Sequence, residues 1–345
     1  MLSTSGHGIK ANDSIIVNGG VINVETSALA AKGMKSDGLI AINGGRTTLI
    51  TTGKGEYDSD ERDVKGAAGI GTDSVFVMNA GELYCMSSGA GGKGIKADQD
   101  VYINGGTIRI ITTGNTYSYT GSTCKAKGIK ADGNLTVSGG DIMVRTTGDS
   151  GSEGIESKKI ITVDGGKTAV YAVDDAIDAN GNLYIQGGTT VAYGTSSPEC
   201  GIDANEEGGY AVIISGGTLA AMGGGTSYPS SASTQPSIVY GGQVAAGTTV
   251  TLNGSNNLLA LTMQRAFNGT ACFLFTTPGL TKGTAYTINT GATATGTDWY
   301  GLRTAATVSA AGTEAASISS LSTPYSSCGS TTGGMGGGMM PGGRR

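Results

Sequence analysis

Along the first two thirds of the chain, apolar residues alternate with polar ones in short runs, and each run ends at a small, polar turn. Ile9/Ala11, Ile15/Val17 and Ile22/Val24 form three such runs in succession. Ile129/Ala131, Leu135/Val137 and Ile142/Val144 repeat the arrangement further on. A period of two puts alternate side chains on one face of a β-strand. Each trio therefore predicts three short strands with an apolar inner face and a polar outer one.

The trios belong to a longer repeat. Gly8-Ile9-Lys10-Ala11 recurs as Gly33-Met34-Lys35-Ser36, Gly69-Ile70-Gly71-Thr72, Gly94-Ile95-Lys96-Ala97 and Gly128-Ile129-Lys130-Ala131. It continues as Gly154-Ile155-Glu156-Ser157, Ala176-Ile177-Asp178-Ala179 and Gly201-Ile202-Asp203-Ala204. The starts are separated by 25, 36, 25, 34, 26, 22 and 25 residues. A second strand and a turn follow each one, from Asn18-Gly19-Gly20 and Asn43-Gly44-Gly45 to Ser215-Gly216-Gly217. A propeller blade needs about 40 residues and four strands, so most of these units are too short for one. Stacked coils ~4.8 Å apart satisfy every backbone group between neighbours. The expected fold is all-β: a parallel β-helix of about eight coils with three strands per coil.

The solenoid is expected over residues 6–235. Residues 243–261 and 271–290 alternate like antiparallel strands around Pro278-Gly279, so 236–325 predicts a β-rich cap or sandwich over the open end. The last segment, 326–345, is rich in Gly and Met and reads as a flexible tail. Two insertions, 50–68 and 111–127, follow third strands and should emerge from one corner, ~10 Å apart. They carry Tyr57, Tyr117 and Tyr119, which either stack on sugar rings or merely cover the helix side. Trp299 beside Tyr300 reads either as a sugar platform or as packing within the cap.

Composition agrees with many tight turns: 62 of 345 residues are Gly, and only six are Pro. Charge is uneven. Residues 1–150 carry 14 basic and 15 acidic groups, 151–240 carry 3 and 10, and 241–345 carry 5 and 2. An acidic middle excludes nucleic acid as the expected partner. No run approaches 18 apolar residues, so no transmembrane segment is expected. The start, Met1-Leu2-Ser3-Thr4-Ser5, lacks the basic-then-apolar pattern of a signal peptide, and a mature or truncated chain is the expectation. Five scattered Cys residues with no CxxC spacing predict neither a zinc site nor a disulfide framework. His7 is the only histidine, so no Ser-His-Asp set can be built on plausible spacing.

Stacking turns the outward positions into columns. One column reads Lys10, Lys35, Gly71, Lys96, Lys130, Glu156, Asp178, Asp203; two positions on, Asp37, Asp73, Asp98 and Asp132 stand beside the lysines. The early coils thus predict a surface Lys–Asp network. In the later coils Glu153, Glu156, Asp174, Asp175, Asp178, Glu199 and Asp203 fall at matching positions with few lysines nearby. Carboxylates that close repel unless a positive group lies between them. A hard cation, Ca²⁺ first, is the expected solution, against a solvated acidic face.

These residues resemble the right-handed β-helix carbohydrate-binding, adhesin-like proteins of bacteria, related in fold to β-helix pectate lyases. The likeness lies in the Lys-Gly-Ile-Lys-Ala-Asp units at 93–98 and 127–132, then Glu153-Gly154-Ile155-Glu156, then Asp174-Asp175-Ala176-Ile177-Asp178. It extends through Pro198–Asp203 and covers about residues 6–225. The resemblance implies calcium held by Glu153, Glu156, Asp174, Asp175 and Asp178, with Asp203 added from the column. It also implies binding of acidic or plant-type polysaccharide and an extracellular or cell-surface location. Two positions depart from the pattern: Ala176 replaces a Gly, and Cys200 stands where an acid often sits.

Three functions remain open at this point. The favoured one is a non-catalytic polysaccharide-binding or adhesin module, with Tyr57, Tyr117, Tyr119, Lys130 and Lys158 as carbohydrate contacts. The second is a calcium-dependent pectate-type lyase with Lys130 or Lys158 as Brønsted base, although neighbouring carboxylates would raise a lysine pKa rather than depress it. The third is a surface scaffold without a ligand.

Overall fold

The structure, a computed structural model, describes residues 2–4 and 6–330; the Gly/Met-rich segment 331–345 lies outside the described residues, as do Met1 and Ser5. Its secondary structure is almost wholly β, with one 3-10 turn at Glu206–Gly208 among the described residues. Three long sheets run the length of a parallel β-helix. The first sheet stacks the Gly-Ile strands, from Ile9–Ala11 to Ile202–Ala204, as eight parallel strands. The second stacks eight more, from Ser14–Val17 to Val212–Ile214. The third runs from Leu2–Thr4 to Thr218–Gly223 and then continues beyond the last coil.

Register follows the repeat. Ile9, Met34, Ile70, Ile95, Ile129, Ile155, Ile177 and Ile202 pair in one row. Their inward side chains join those of the other two sheets in a single apolar core. The turn between the second and third sheets explains the paired glycines. The second of each pair, from Gly20 to Gly217, has φ between +70° and +89°, a region that side chains rarely enter. In the early coils Asn18, Asn43, Asn79 and Asn104 form an amide ladder beside this turn, at 2.7–2.8 Å per step.

The glycine of the Gly-Ile unit has a different cause. A Cβ on Gly128 or Gly154 would collide with the inward Val144 or Val170 of the third sheet. Val170 pairs with Ala192 in the next coil, so a smaller residue stands at the position facing Ala176. That accounts for the one alanine in the row.

The solenoid ends in two ways. Residues 227–234 close the last coil: the amides of Ser227, Ser230 and Thr234 donate to Ile202, Val212 and Ile214. The third sheet then gains Ala271–Thr276 and Ser237–Gly242, each by an antiparallel pairing, and Tyr325–Gly329 by a parallel one, so the C-terminal region is continuous with the helix. A five-stranded sheet containing Thr249–Asn253 and Asn257–Thr262 packs on the outer face of this extension. It covers Ala169, Val191, Tyr193, Ala220 and Met222 of the last coils in a second apolar core. One boundary moves: residues 326–329, expected in the tail, belong to the strand Tyr325–Gly329. Tyr325 packs against the solenoid core and Cys328 against the second core, which anchors both faces of that strand.

Candidate functional site

The corner between the third and first sheets gathers the residues with chemistry. In the second and fourth coils this corner carries the two insertions. Each is an antiparallel hairpin, Glu56–Asp58 with Asp63–Lys65 and Tyr117–Tyr119 with Ser122–Cys124. The hairpins lean together: the rings of Tyr57 and Tyr119 lie 4.7 Å apart between centroids. Tyr117 receives the Lys54 ammonium 5.8 Å from its ring centre. Tyr119 remains 49% exposed. The hairpins therefore bring together the tyrosines that the sequence singles out.

Along the same corner, the fifth to eighth coils exchange lysine for acid. Lys93 and Lys127 begin successive strands of the first sheet and are both buried. Glu153, Asp174, Asp175 and Glu199 occupy the same connection in the coils that follow. Thr116 of the second hairpin donates through its amide and hydroxyl to Asp149, at 2.9 and 3.0 Å. The Gly151 amide, two residues further on, donates to Asp174. One short hydrogen-bonded path thus connects the tyrosine hairpins with the acids.

The carboxylates form three overlapping groups: Glu153/Glu156/Asp178, Asp174/Asp175/Glu199 and Asp175/Asp178/Asp203, with oxygens in each group within 4.8 Å of one another. Glu153, Glu156, Asp174, Asp175 and Asp178 are buried; Glu199 and Asp203 are half-buried. All six acids expected at a metal site fall in this band. Glu199, part of the acidic series but outside the expected ligand set, joins them.

The first group contains its own cation, which the sequence reading missed. Lys127 reaches both Glu153 and Glu156, 2.6 Å from the latter, and Lys158 takes the other oxygen of Glu156. Burial disfavours the Glu156 charge, but Lys127, Lys130 and Lys158 outweigh it and hold the carboxyl down at about 2. Burial draws the Lys127 ammonium down, to about 8, against the pull of Glu156. The available signal was the repeat itself, since Lys127 and Glu153 stand directly before the Gly-Ile units of successive coils.

Asp175 lies in the opposite situation. Burial, then Asp203, and further Glu199 and Asp178, push its carboxyl up to about 8, opposed by the Cys200 amide donating at 2.6 Å. A group in that state holds a proton at neutral pH or needs a cation beside it. An all-oxygen, carboxylate-rich donor set suits a hard divalent ion such as Ca²⁺, and Mg²⁺ less well, because Mg²⁺ demands a near-ideal octahedron.

The basic candidates are engaged. Lys130 lies 3.6 Å from Asp132, and burial lowers its pKa. Lys158 is held by Glu156. In the early coils Lys35 bridges Asp37 and Asp73 at 3.2 and 2.5 Å, and Lys96 bridges Asp98 and Asp132. All five cysteines are free thiols. Among the described residues, no helix is long and apolar enough to cross a membrane.

No curated protein and no solved structure matches this chain. The profile of a family described as carbohydrate-binding domain-containing protein does, over residues 1–152 and again over 147–200. The two matches span most of the coils and most of the carboxylate band, and cover more than half of the sequence. The chain belongs to the family of carbohydrate-binding domain-containing proteins.

Proposed function

We propose that this protein is a non-catalytic module of the bacterial cell surface that binds acidic polysaccharide with the help of Ca²⁺. Family membership carries the coarser half of this reading, carbohydrate binding. The finer half rests chiefly on one observation: Asp175 and Asp178 each belong to two carboxylate groups, in a family whose ligand is a glycan. Asp174, Asp175, Asp178, Glu199 and Asp203 would hold the ion. Ca²⁺ accepts six to eight oxygens in irregular geometry, so carboxylates of a uronate chain can complete its shell. The hairpin tyrosines, on the same corner, offer ring faces to the sugars.

The direct test is binding of polygalacturonate and of neutral glucans to the full chain, with Ca²⁺ or with chelator, while ultraviolet absorbance reports unsaturated product. Calcium-dependent binding without product supports the module. Product formation would instead make it a lyase, and absence of both binding and product would leave a scaffold.

A further inference from the structure

The third sheet is covered over only part of its length. In the last coils its outward residues, Ala169, Val191, Tyr193, Ala220 and Met222, lie beneath the C-terminal sheet. One coil before Ala169 the row continues as Met143, then Arg109, Tyr84 and Thr48. The covering sheet therefore ends in a step, with the earlier coils as its floor. Trp299 and Tyr300 stand at this step, and Arg109 donates to the Tyr300 hydroxyl at 2.6 Å.

Cations and rings alternate along the step. The Lys167 ammonium lies 5.7 Å from the Trp299 ring centre. The Arg145 and Arg265 guanidiniums lie 4.9 and 4.6 Å from that of Tyr171. Among the described residues, none of Arg109, Arg145, Lys167 and Arg265 has a carboxylate within ion-pair distance. On the first sheet Lys35, Lys96, Lys127, Lys130 and Lys158 pair with acids, whereas Lys32 and Lys93 donate to backbone oxygens. Two shallow depressions flank the step. One is lined by Arg46, Thr48, Tyr84 and Arg109 together with Glu82, which pairs with Arg46 at 2.8 Å; the other is lined by Lys167, Thr189 and Trp299.

We propose that this step is a second glycan-binding surface, taking the anionic units of a polysaccharide without a metal ion. The proposal rests on the glycan-binding reading above but not on its cation. A guanidinium already laid against a ring loses less freedom on binding, and its planar fork matches a carboxylate. Aromatic rings beside it offer apolar faces to the sugar. Arg109 and Arg145 stand one coil and two residues apart, about 8 Å between backbones, which spaces two anionic contacts along one chain.

The test uses the full chain with Arg109→Ala/Arg145→Ala and, separately, Asp174→Asn/Asp175→Asn. Both arginines are exposed, so an unchanged melting temperature is expected for the first pair; Lys167→Glu serves as a second variant if it fails to fold. The parent should retain polygalacturonate binding in chelator, and Arg109→Ala/Arg145→Ala should lower that residual affinity at least tenfold while keeping its calcium response. Asp174→Asn/Asp175→Asn should lose the calcium response and keep the residual binding. Parent-like residual affinity in the arginine pair, or no residual binding in the parent, overturns the second surface. Failure of the calcium reading shows separately, as parent binding that chelator leaves unchanged.

Discussion

The Lys127 ammonium lies between the Glu153 and Glu156 carboxylates, where a column of lysines gives way to a column of acids. All three groups are buried, so each charge depends on the others.

Removing that lysine leaves two buried carboxylates without their shared partner. Lys127→Ala should destabilise the protein by about 3–5 kcal/mol in chelator, the range for breaking a buried pair. The loss should shrink when Ca²⁺ is added, because the same carboxylates with Asp178 then form an acidic group open to the ion. Chemical denaturation with and without Ca²⁺ checks both parts.

Asp175 sets a pH dependence of the opposite sign to that of Glu156. Its folded pKa is raised to about 8, so the folded state holds a proton that the unfolded state releases near 4. In chelator this contribution is complete below pH ~4 and is lost as pH rises through about 8. Asp175→Asn should flatten that decline in the melting temperature. Glu156, held down at about 2, contributes above its unfolded pKa and loses that contribution as pH falls toward 2. Binding of Ca²⁺ near pH 7 should release a proton in the parent and none in Asp175→Asn, read as a buffer-dependent heat of binding.

Gly154 lies against Val170, and its Cβ would overlap that side chain. Gly154→Ala should cost about 1–3 kcal/mol through overpacking. Val170→Ala in the same chain should recover part of the loss, since Ala176 already occupies the equivalent place with Ala192 at the facing position. Melting curves of the two single variants and the double variant give the coupling.

The solenoid was legible because its signal is periodic. Isoleucine, once methionine, every 22 to 36 residues, with glycine or once alanine before it, predicts both the vertical row and the columns beside it, and the pairings follow that row from Ile9 to Ile202. Both insertions and the carboxylate band follow from the same register. The repeat sets Lys127 one coil before Glu153, but that its ammonium turns between Glu153 and Glu156 was not legible, because strand alternation says nothing about side chains at a corner. The step at Trp299 and Tyr300 was equally hidden: which coils of the third sheet are covered depends on where a distant sheet docks. Cys328 looks like a tail residue until Ser237–Gly242 supplies the strand it pairs with.

The hairpins should behave as one unit. Tyr57→Ala and Tyr119→Ala should each loosen the same ring contact, with a coupling of about 0.5–1.5 kcal/mol between them in a double-mutant cycle. Each should also weaken polysaccharide binding, for neutral and acidic chains alike. Independent, additive effects would separate the two loops.

On this reading the acids of the sixth to eighth coils form a cation site. Thermal melting of the intact chain in Ca²⁺ and in chelator is the decisive measurement, with Asp174→Asn/Asp175→Asn alongside. A melting temperature that rises with Ca²⁺ concentration in the parent, and not in the double variant, is the predicted result. A parent whose melting is the same in Ca²⁺ and in chelator would contradict it.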